Sequence, residues 1–200
     1  MKLKSVNRED YLACSHYIDY EDPDIKKLAA DLAVGCQTRT EIARNIFHYV
    51  RDQIRHTLDI KGSKVTAAAS EVLAEGHGIC YSKVNLFAAL LRSRGIPAGF
   101  CYQRLILGET PDTGYCIHAL SGVYIEEIDR WIRLDTRGNK EGVNARFSLE
   151  EEYLAFPARA EYGEKDYDTI YPEPLDIIIN TLKNNKDAME MCMNSLPAEL

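Results

Sequence analysis

The chain has 200 residues, of which 46% are hydrophobic and 28% charged, and its formal net charge at pH 7 is -7. These values are typical of a globular protein with enough apolar residues for one core. Because the 24 Lys and Arg residues are dispersed and outnumbered by 31 Asp and Glu residues, we expect neither nucleic acid nor a membrane surface as a partner.

Two amphipathic helices are predicted first along the chain. Asp22 is the candidate N-cap of the first helix, with Pro23 at its first position and Gly35 as its stop signal. Thr38 and Glu41 have the spacing of a capping box and begin the second helix. Both start signals precede apolar residues at helical spacing, which favours helices that pack on a core.

Two further helices flank a glycine hinge. The segment 65–75 predicts a third helix closed by Gly76, because glycine adopts the left-handed conformation without steric cost. A fourth helix is expected to begin at or near Cys80 and to stop at Gly95. Its predicted apolar stripe consists of Val84, Phe87, Ala88 and Leu91.

The character of the chain changes after Pro97. Segments 98–108, 115–125 and 131–135 are rich in aromatic and β-branched residues and predict a three-stranded antiparallel sheet. Helices followed by strands indicate an α+β fold rather than alternating βαβ units.

The last part of the chain combines an irregular segment with a helix. Beyond residue 156 the sequence is rich in Pro, Gly, Tyr and acidic residues, which is typical of a wrapping loop. A single C-terminal helix follows, and we expect it to dock on the domain; the alternative is a homodimer contact or a lid. Its predicted apolar face consists of Leu175, Ile178, Ile179, Leu182, Met189 and Met193.

The segment "AEGHGIC" brings Cys80 out of a glycine hinge at the start of a helix. The unpaired amides and the dipole of a helix N-terminus favour the thiolate, which is the nucleophilic form of cysteine. The same amides can receive the oxygen of a tetrahedral intermediate. Cys80 is therefore the candidate nucleophile.

A nucleophilic cysteine needs a base and a group that orients the base. If the hairpin turns around Glu127 and Ile128, residue 118 lies opposite residue 137, and Asp135 lies diagonally across on the same face. His118 would then take the thiol proton while Asp135 orients the ring. The alternatives are a core histidine bonded to a carbonyl and an aspartate that caps a strand end.

Four pieces of the sequence, within residues 20–150, resemble the transglutaminase-like superfamily. They are a small-residue helix that ends in glycine, the "GIC" that follows it, the "IHAL" of the strand and the "RWIRLD" before the aspartate. The phrase "LLRSRGIPA" adds to the likeness. The resemblance implies a papain-like arrangement in which the cysteine begins a helix packed on an antiparallel sheet.

Carried over position by position, the resemblance matches Cys80 to the nucleophile, His118 to the base and Asp135 to the orienting carboxylate. It implies a cysteine peptidase or amidase that forms a thioester with a peptide, protein or small amide. Residues 1–156 would form the catalytic domain, and residues 157–200 a loop and helix of the same domain. Leu120 and Ser121, and residues 136–138, depart from the family pattern and leave the substrate preference open.

The second oxyanion donor is not evident from the sequence. The only tryptophan, Trp131, lies downstream of Cys80, and the candidate side-chain donors are Gln53, Gln103 and Tyr81. Arg137 is expected either to bind a substrate carboxylate or to neutralise Asp135. Cys116 shares the strand face of His118 and is a rival thiol, which we interpret as pocket lining.

Neither a metal nor a cofactor is expected. The six cysteines form no C-x-x-C pair, Cys14 and His16 have no second ligand pair, and no glycine-rich phosphate loop follows a strand. The N-terminal segment lacks the apolar stretch of a signal peptide, so we expect a cytoplasmic protein with reduced thiols. Hydrolysis is the favoured reaction, and the alternatives are acyl transfer to an amine and a non-catalytic peptide-binding module.

Overall fold

The computed structural model describes residues 1–200. Its helices are α1 (Pro23–Leu32), α2 (Arg39–Asp52), α3 (Ala69–Glu75), α4 (Cys80–Arg92), α5 (Asp176–Asn184) and α6 (Ala188–Asn194). Its strands are β1 (Lys2–Leu3), β2 (Arg55–His56), β3 (His77–Gly78), β4 (Ala98–Ile106), β5 (Tyr115–Ile125), β6 (Arg130–Leu134), β7 (Lys165–Asp166) and β8 (Thr169–Ile170). The predicted α+β class is confirmed.

The predicted start signals of α1 and α2 are confirmed. The Asp22 side chain accepts hydrogen bonds from the second and third amides of α1, and Thr38 and Glu41 form the capping box of α2. Gly76 ends α3 with φ of 66°. The third helix is shorter than predicted, because residues 65–68 are not helical and Glu71 accepts hydrogen bonds from the amides of Ala67 and Ala68.

Helix α4 is the centre of the molecule. The predicted apolar stripe of α4 is buried, and so is every other residue of the helix except Cys80, against α1, α2, α3 and the sheet. A helix enclosed on every side has no solvated face to reveal by periodicity. Full burial of each large apolar side chain stabilises the fold by roughly 1.5–3 kcal/mol, which makes α4 a rigid base for the residue at its start.

The main sheet is antiparallel with strand order β6, β5, β4, β7. The three predicted strands are confirmed, and the short strand β7 adds to the free edge of β4. In the β5 and β6 hairpin, Ser121 pairs with Leu134 and Val123 with Ile132. This is the register that brings residue 118 level with residue 137, as the sequence predicted.

The two faces of the sheet pack on different parts of the chain. One face joins α4 in the main core through Phe100, Tyr102, Ile117, Ala119 and Val123. The other face carries Cys101 and Leu120 and is covered by Tyr11 and Ile170. A Cβ atom on Gly122 would lie 2.8 Å from the Ile170 side chain, so glycine is required for this close packing.

The C-terminal region differs from the single helix predicted for it. Residues 185–187 interrupt it, and the Asp187 side chain caps α6 by accepting from the Glu190 amide. Ile178, Ile179 and Leu182 are buried as predicted, but Met193 is 62% exposed. The restart at α6 turns a new face to the core, and its buried residues are Ala188, Met191 and Cys192. None of the six helices combines the length and apolarity that a membrane crossing requires.

Candidate active site

A cavity of about 530 Å³ opens where α4 begins and β5 enters the sheet. Cys80 and His118 both line it. Its apolar side consists mainly of Leu58, Ile79, Leu105, Ile106, Leu107, Ile117, Ala155, Phe156, Pro157 and Leu196. Its polar side chains are His56, His118, Arg137, Lys140, Arg159 and Glu164. A volume of this size is in the range of small-molecule sites.

Cys80 is the first residue of α4, as the sequence predicted. The N-cap residue Ile79 supplies no side-chain acceptor, so the first amides of the helix are left for solvent or a ligand. The Tyr81 hydroxyl donates to the Ile117 carbonyl at 2.7 Å. This buried bond ties the residue after the thiol to the residue before His118, and it holds α4 and β5 together at the cavity.

His118 and Asp135 form a buried pair. The distance between His118 Nε2 and Asp135 Oδ2 is 2.8 Å. Asp135 is itself held by backbone amides, because Oδ1 accepts from Arg137 N at 2.9 Å and Oδ2 from Ala155 N at 3.1 Å. Burial opposes ionisation of Asp135, but His118 and these amides outweigh it and lower the pKa of the carboxyl group.

His118 and Cys80 line the same cavity. Burial, the largest influence, favours the neutral ring, but the charge and hydrogen bond of Asp135, with a smaller contribution from Cys80, raise the pKa of His118. Because Nε2 is occupied by Asp135, Nδ1 is the ring nitrogen left for the thiol. The Phe156 ring meets the His118 ring edge-on at 5.5 Å between centroids. The structure thus brings the three predicted site residues together.

The three predicted side-chain donors do not reach the cavity. Gln53 is exposed and the Tyr81 hydroxyl is used by Ile117. Gln103 pairs with His118 across β4 and β5, but its amide is completely enclosed, without a hydrogen-bond partner, and does not line the cavity. None of the three candidate side chains is therefore placed to serve as a second oxyanion donor.

Arg137 does not neutralise Asp135 with its side chain. Its guanidinium group donates to both carboxylate oxygens of Asp59, at 2.5 and 2.8 Å, and Lys140 donates to the same carboxylate at 2.8 Å. Burial resists the charge on Asp59, but Arg137 and Lys140 lower its pKa. Two cations thus share one anion at the polar rim of the cavity.

Two more thiols line the cavity beside Cys80. Burial, reinforced by the proximity of Cys80, raises the pKa of Cys116 and of Cys192 to about 12. Both groups are therefore protonated at neutral pH and are poor nucleophiles. The interpretation of Cys116 as pocket lining agrees with its place in the cavity wall.

Two further histidines lie near the start of α4. His77 is buried in β3, where its Nδ1 lies 3.0 Å from the Thr57 hydroxyl. His56, which no motif singled out, lines the cavity. Its strand β2 pairs with β3 across twenty residues of sequence, and no local pattern reveals such a pairing. Within residues 1–200, no group of His, Cys, Asp or Glu side chains is arranged to hold a metal ion.

Comparisons with solved structures show the fold. A proposed cysteine protease from Cytophaga hutchinsonii is 22% identical, with a TM-score of 0.53, over 66% of this chain and 42% of that chain. The periplasmic domain of TgpA from Pseudomonas aeruginosa is 18% identical, with a TM-score of 0.48, over 66% of this chain and 48% of that chain. This chain therefore spans less than half the length of either protein.

The sequence comparisons give the family. No curated protein matches the chain in sequence. A family model for the transglutaminase-like superfamily matches residues 26–136, which include Cys80, His118 and Asp135. The match covers more than half of the chain, and it runs from α1 to the residue after Asp135. The chain therefore belongs to the transglutaminase-like superfamily.

Proposed function

We propose that the protein is a cysteine-dependent hydrolase that cleaves amide bonds through a thioester on Cys80. The observation that carries this proposal is that Cys80 and His118 line one cavity and that the buried Asp135 bonds His118. A thiol at a helix start, a histidine beside it and a buried carboxylate behind the histidine are the parts that nucleophilic catalysis requires.

The first half of the reaction makes the thioester. His118 Nδ1 takes the proton of the Cys80 thiol, and the thiolate attacks the amide carbonyl carbon, so that the carbonyl electron pair moves to oxygen. The imidazolium then gives its proton to the leaving nitrogen as the carbon–nitrogen bond breaks. Asp135 stabilises the imidazolium through the 2.8 Å bond to Nε2. An amine leaves, and the acyl group stays on sulfur.

The second half of the reaction hydrolyses the thioester and regenerates the free enzyme. His118 takes a proton from a water molecule as the water oxygen attacks the thioester carbon. The carbon–sulfur bond breaks, the carboxylic acid leaves, and the thiolate recovers a proton from His118. No cofactor is needed for either half.

The cavity supports a small substrate with an apolar acyl group. A volume of about 530 Å³ accommodates a compact molecule or one side chain of a peptide better than a long polymer segment. Strand-end residues such as Leu105 and Leu107, together with Phe156 and Leu196, make the wall beside Cys80 largely apolar. An apolar acyl group would displace water from this wall.

The test is to trap the acyl-enzyme. The protein is mixed with activated amides and peptides that carry apolar, polar or acidic acyl groups, quenched in acid and examined by mass spectrometry. We expect an acyl adduct on Cys80 that hydroxylamine removes, and Cys80→Ala should abolish it while the exposed Cys14→Ala control retains it. Adducts that partition to an added amine would favour acyl transfer, and the absence of any adduct would favour a binding module.

A further inference from the structure

His56 is fixed beside the loop that leads to Cys80. Its strand β2 pairs in parallel with β3, with His56 level with Gly78, two residues before the thiol. Arg55 N donates to the Gly76 carbonyl at 3.0 Å, and Thr57 N donates to the Gly78 carbonyl at 3.1 Å. These bonds hold the His56 backbone in one position relative to the start of α4.

The His56 ring has an unused polar edge that faces the cavity. The residue is 7% exposed, and it lines the same cavity as Cys80 and His118. Its Nδ1 is enclosed by protein and has no hydrogen-bond partner. Nε2 has no protein partner either, but it is not enclosed, so it faces the cavity that the ring lines.

The ring is neutral, and its proton belongs on Nε2. Burial, followed by the positive charge of Arg137, lowers the pKa of His56 to about 3. A neutral imidazole carries a single N–H donor. A proton on Nδ1 would leave a buried donor without an acceptor, which is costly, whereas a proton on Nε2 points the donor into the cavity.

The other polar side chains of the cavity are already engaged. His118 bonds Asp135, Arg137 and Lys140 bond Asp59, and Arg159 and Glu164 bond each other. Of the six polar side chains that line the cavity, cysteines aside, His56 alone has no partner. Its cavity-facing edge is therefore free to meet a ligand atom.

We propose that His56 Nε2–H and the backbone N–H of Cys80 together bind the oxygen anion that forms when Cys80 attacks a carbonyl group. This inference rests on the proposed function and deepens it. Two converging donors are the usual arrangement for a tetrahedral intermediate, and a neutral donor does not bind the thiolate as an ion pair beforehand. The substrate atom it recognises is therefore the carbonyl oxygen.

Lys83 supports this arrangement as a positioning residue. It is completely buried one turn after Cys80, and its ammonium group donates to the carbonyl of Ile54, two residues before His56. The bond connects α4 directly to the segment that carries His56. Residue 78 must be a glycine here, because a Cβ atom would lie 2.5 Å from the Ser82 hydroxyl.

The test compares two variants with different donor ability. His56→Phe keeps a ring but has no donor, and His56→Gln keeps a side-chain N–H. For the apolar amide that acylates Cys80 fastest, we expect His56→Phe to lower kcat by about 100- to 1000-fold with little change in KM. The kcat of His56→Gln should be at least tenfold higher than that of His56→Phe. If His56→Phe does not fold, His56→Met takes its place.

A second readout separates a donor from a structural role. Iodoacetamide labels Cys80 without forming an oxygen anion, so its labelling rate should stay within a factor of about three in both variants. An apolar aldehyde, which forms a tetrahedral adduct with the thiol, should bind His56→Phe at least tenfold more weakly than the unchanged protein. This aldehyde measurement does not require turnover.

Two results would overturn the inference. Equal losses of labelling and acylation in His56→Phe would show that the ring only shapes the site. Unchanged acylation and unchanged aldehyde affinity would show that His56 meets no developing anion. A protein whose Cys80 binds the aldehyde in a His56-dependent way but never acylates would instead refute the proposed hydrolysis and leave the donor role intact.

Discussion

The two walls of the cavity are built differently. The wall that carries Cys80, His118 and His56 comes from α4, β5 and β2. The Tyr81 hydrogen bond to Ile117 joins α4 to β5, and β2 pairs with β3 just before α4. A second wall comes from the end of β4, from irregular chain around Phe156 and from Leu196 after α6. Under the proposed function, regular elements hold the reacting groups, whereas less regular segments select the acyl group.

The largest effect is expected behind the first wall, at Asp135, which bonds His118. Asp135→Asn keeps the shape but cannot stabilise the imidazolium and favours the wrong tautomer of His118. We expect acylation of Cys80 to fall about 1000- to 10,000-fold, measured by single-turnover kinetics with the best amide. A loss below tenfold, with the fold intact, would show that the buried carboxylate does not act through His118.

The next effect concerns the stability of the same wall. Burial, with the charge of Arg137, lowers the pKa of Lys83 to about 7 from its usual value of 10.5. The unfolded chain therefore binds more protons between pH 7 and 10.5, so the free energy of unfolding attributable to Lys83 should rise with pH in this window.

Lys83→Met should remove this rise in the free energy of unfolding. Below pH 7 the variant also avoids the desolvation of a buried ammonium group, which is worth several kcal/mol before the lost bond to Ile54 is subtracted. Urea unfolding at pH 6, 8 and 10 measures the free energy of unfolding of both proteins. An unchanged slope in the variant would mean that Lys83 keeps its ordinary titration in the fold.

The second wall should respond in selectivity rather than in chemistry. Phe156→Ala removes an aromatic ring that lines the cavity and touches His118. We expect the ratio of kcat/KM for large over small apolar acyl groups to change by about 10- to 200-fold, which is the range for a change in pocket volume. Labelling of Cys80 by iodoacetamide should change much less than this ratio. Equal changes in the kcat/KM ratio and in the labelling rate would show that Phe156 affects the chemistry as much as the selectivity.

The smallest effect lies far from both walls. The Glu127 carboxylate accepts hydrogen bonds from the Arg39 amide at 2.6 Å and from the Thr40 hydroxyl at 2.9 Å, so it joins the β5 and β6 turn to the start of α2. Glu127→Ala should lower the free energy of unfolding by about 0.5–2 kcal/mol, as the loss of a helix cap does. Acylation kinetics should be unchanged, and a large kinetic loss would mean that this contact controls the cavity.

Local signals predicted much of the fold. Asp22, Thr38 and Gly76 act on their own neighbours, so their roles are readable from a few residues of sequence. The hairpin register followed from the position of one turn, and it placed Asp135 beside His118. The break before α6 also had a signal, Asp187 followed by Glu190, but the apolar spacing on both sides of it concealed the interruption.

The remaining features depend on contacts between distant segments. The pairing of β2 with β3 sets His56 level with Gly78, just before α4. The main partners of Arg137 and Lys83 are Asp59 and Ile54, which flank β2 and lie 78 and 29 residues away in sequence. Such contacts leave no periodic pattern in the chain. This is why Cys80, His118 and Asp135 could be named from the sequence, whereas His56 could not.

The most direct measurement of the central claim is the rate at which iodoacetamide labels Cys80 as a function of pH, with the exposed Cys14 as the internal reference. If His118 takes the thiol proton, Cys80 should be labelled at least tenfold faster than Cys14 at pH 6, and His118→Ala should remove that advantage. Equal labelling of the two cysteines at pH 6, or an advantage that survives in His118→Ala, would contradict the account.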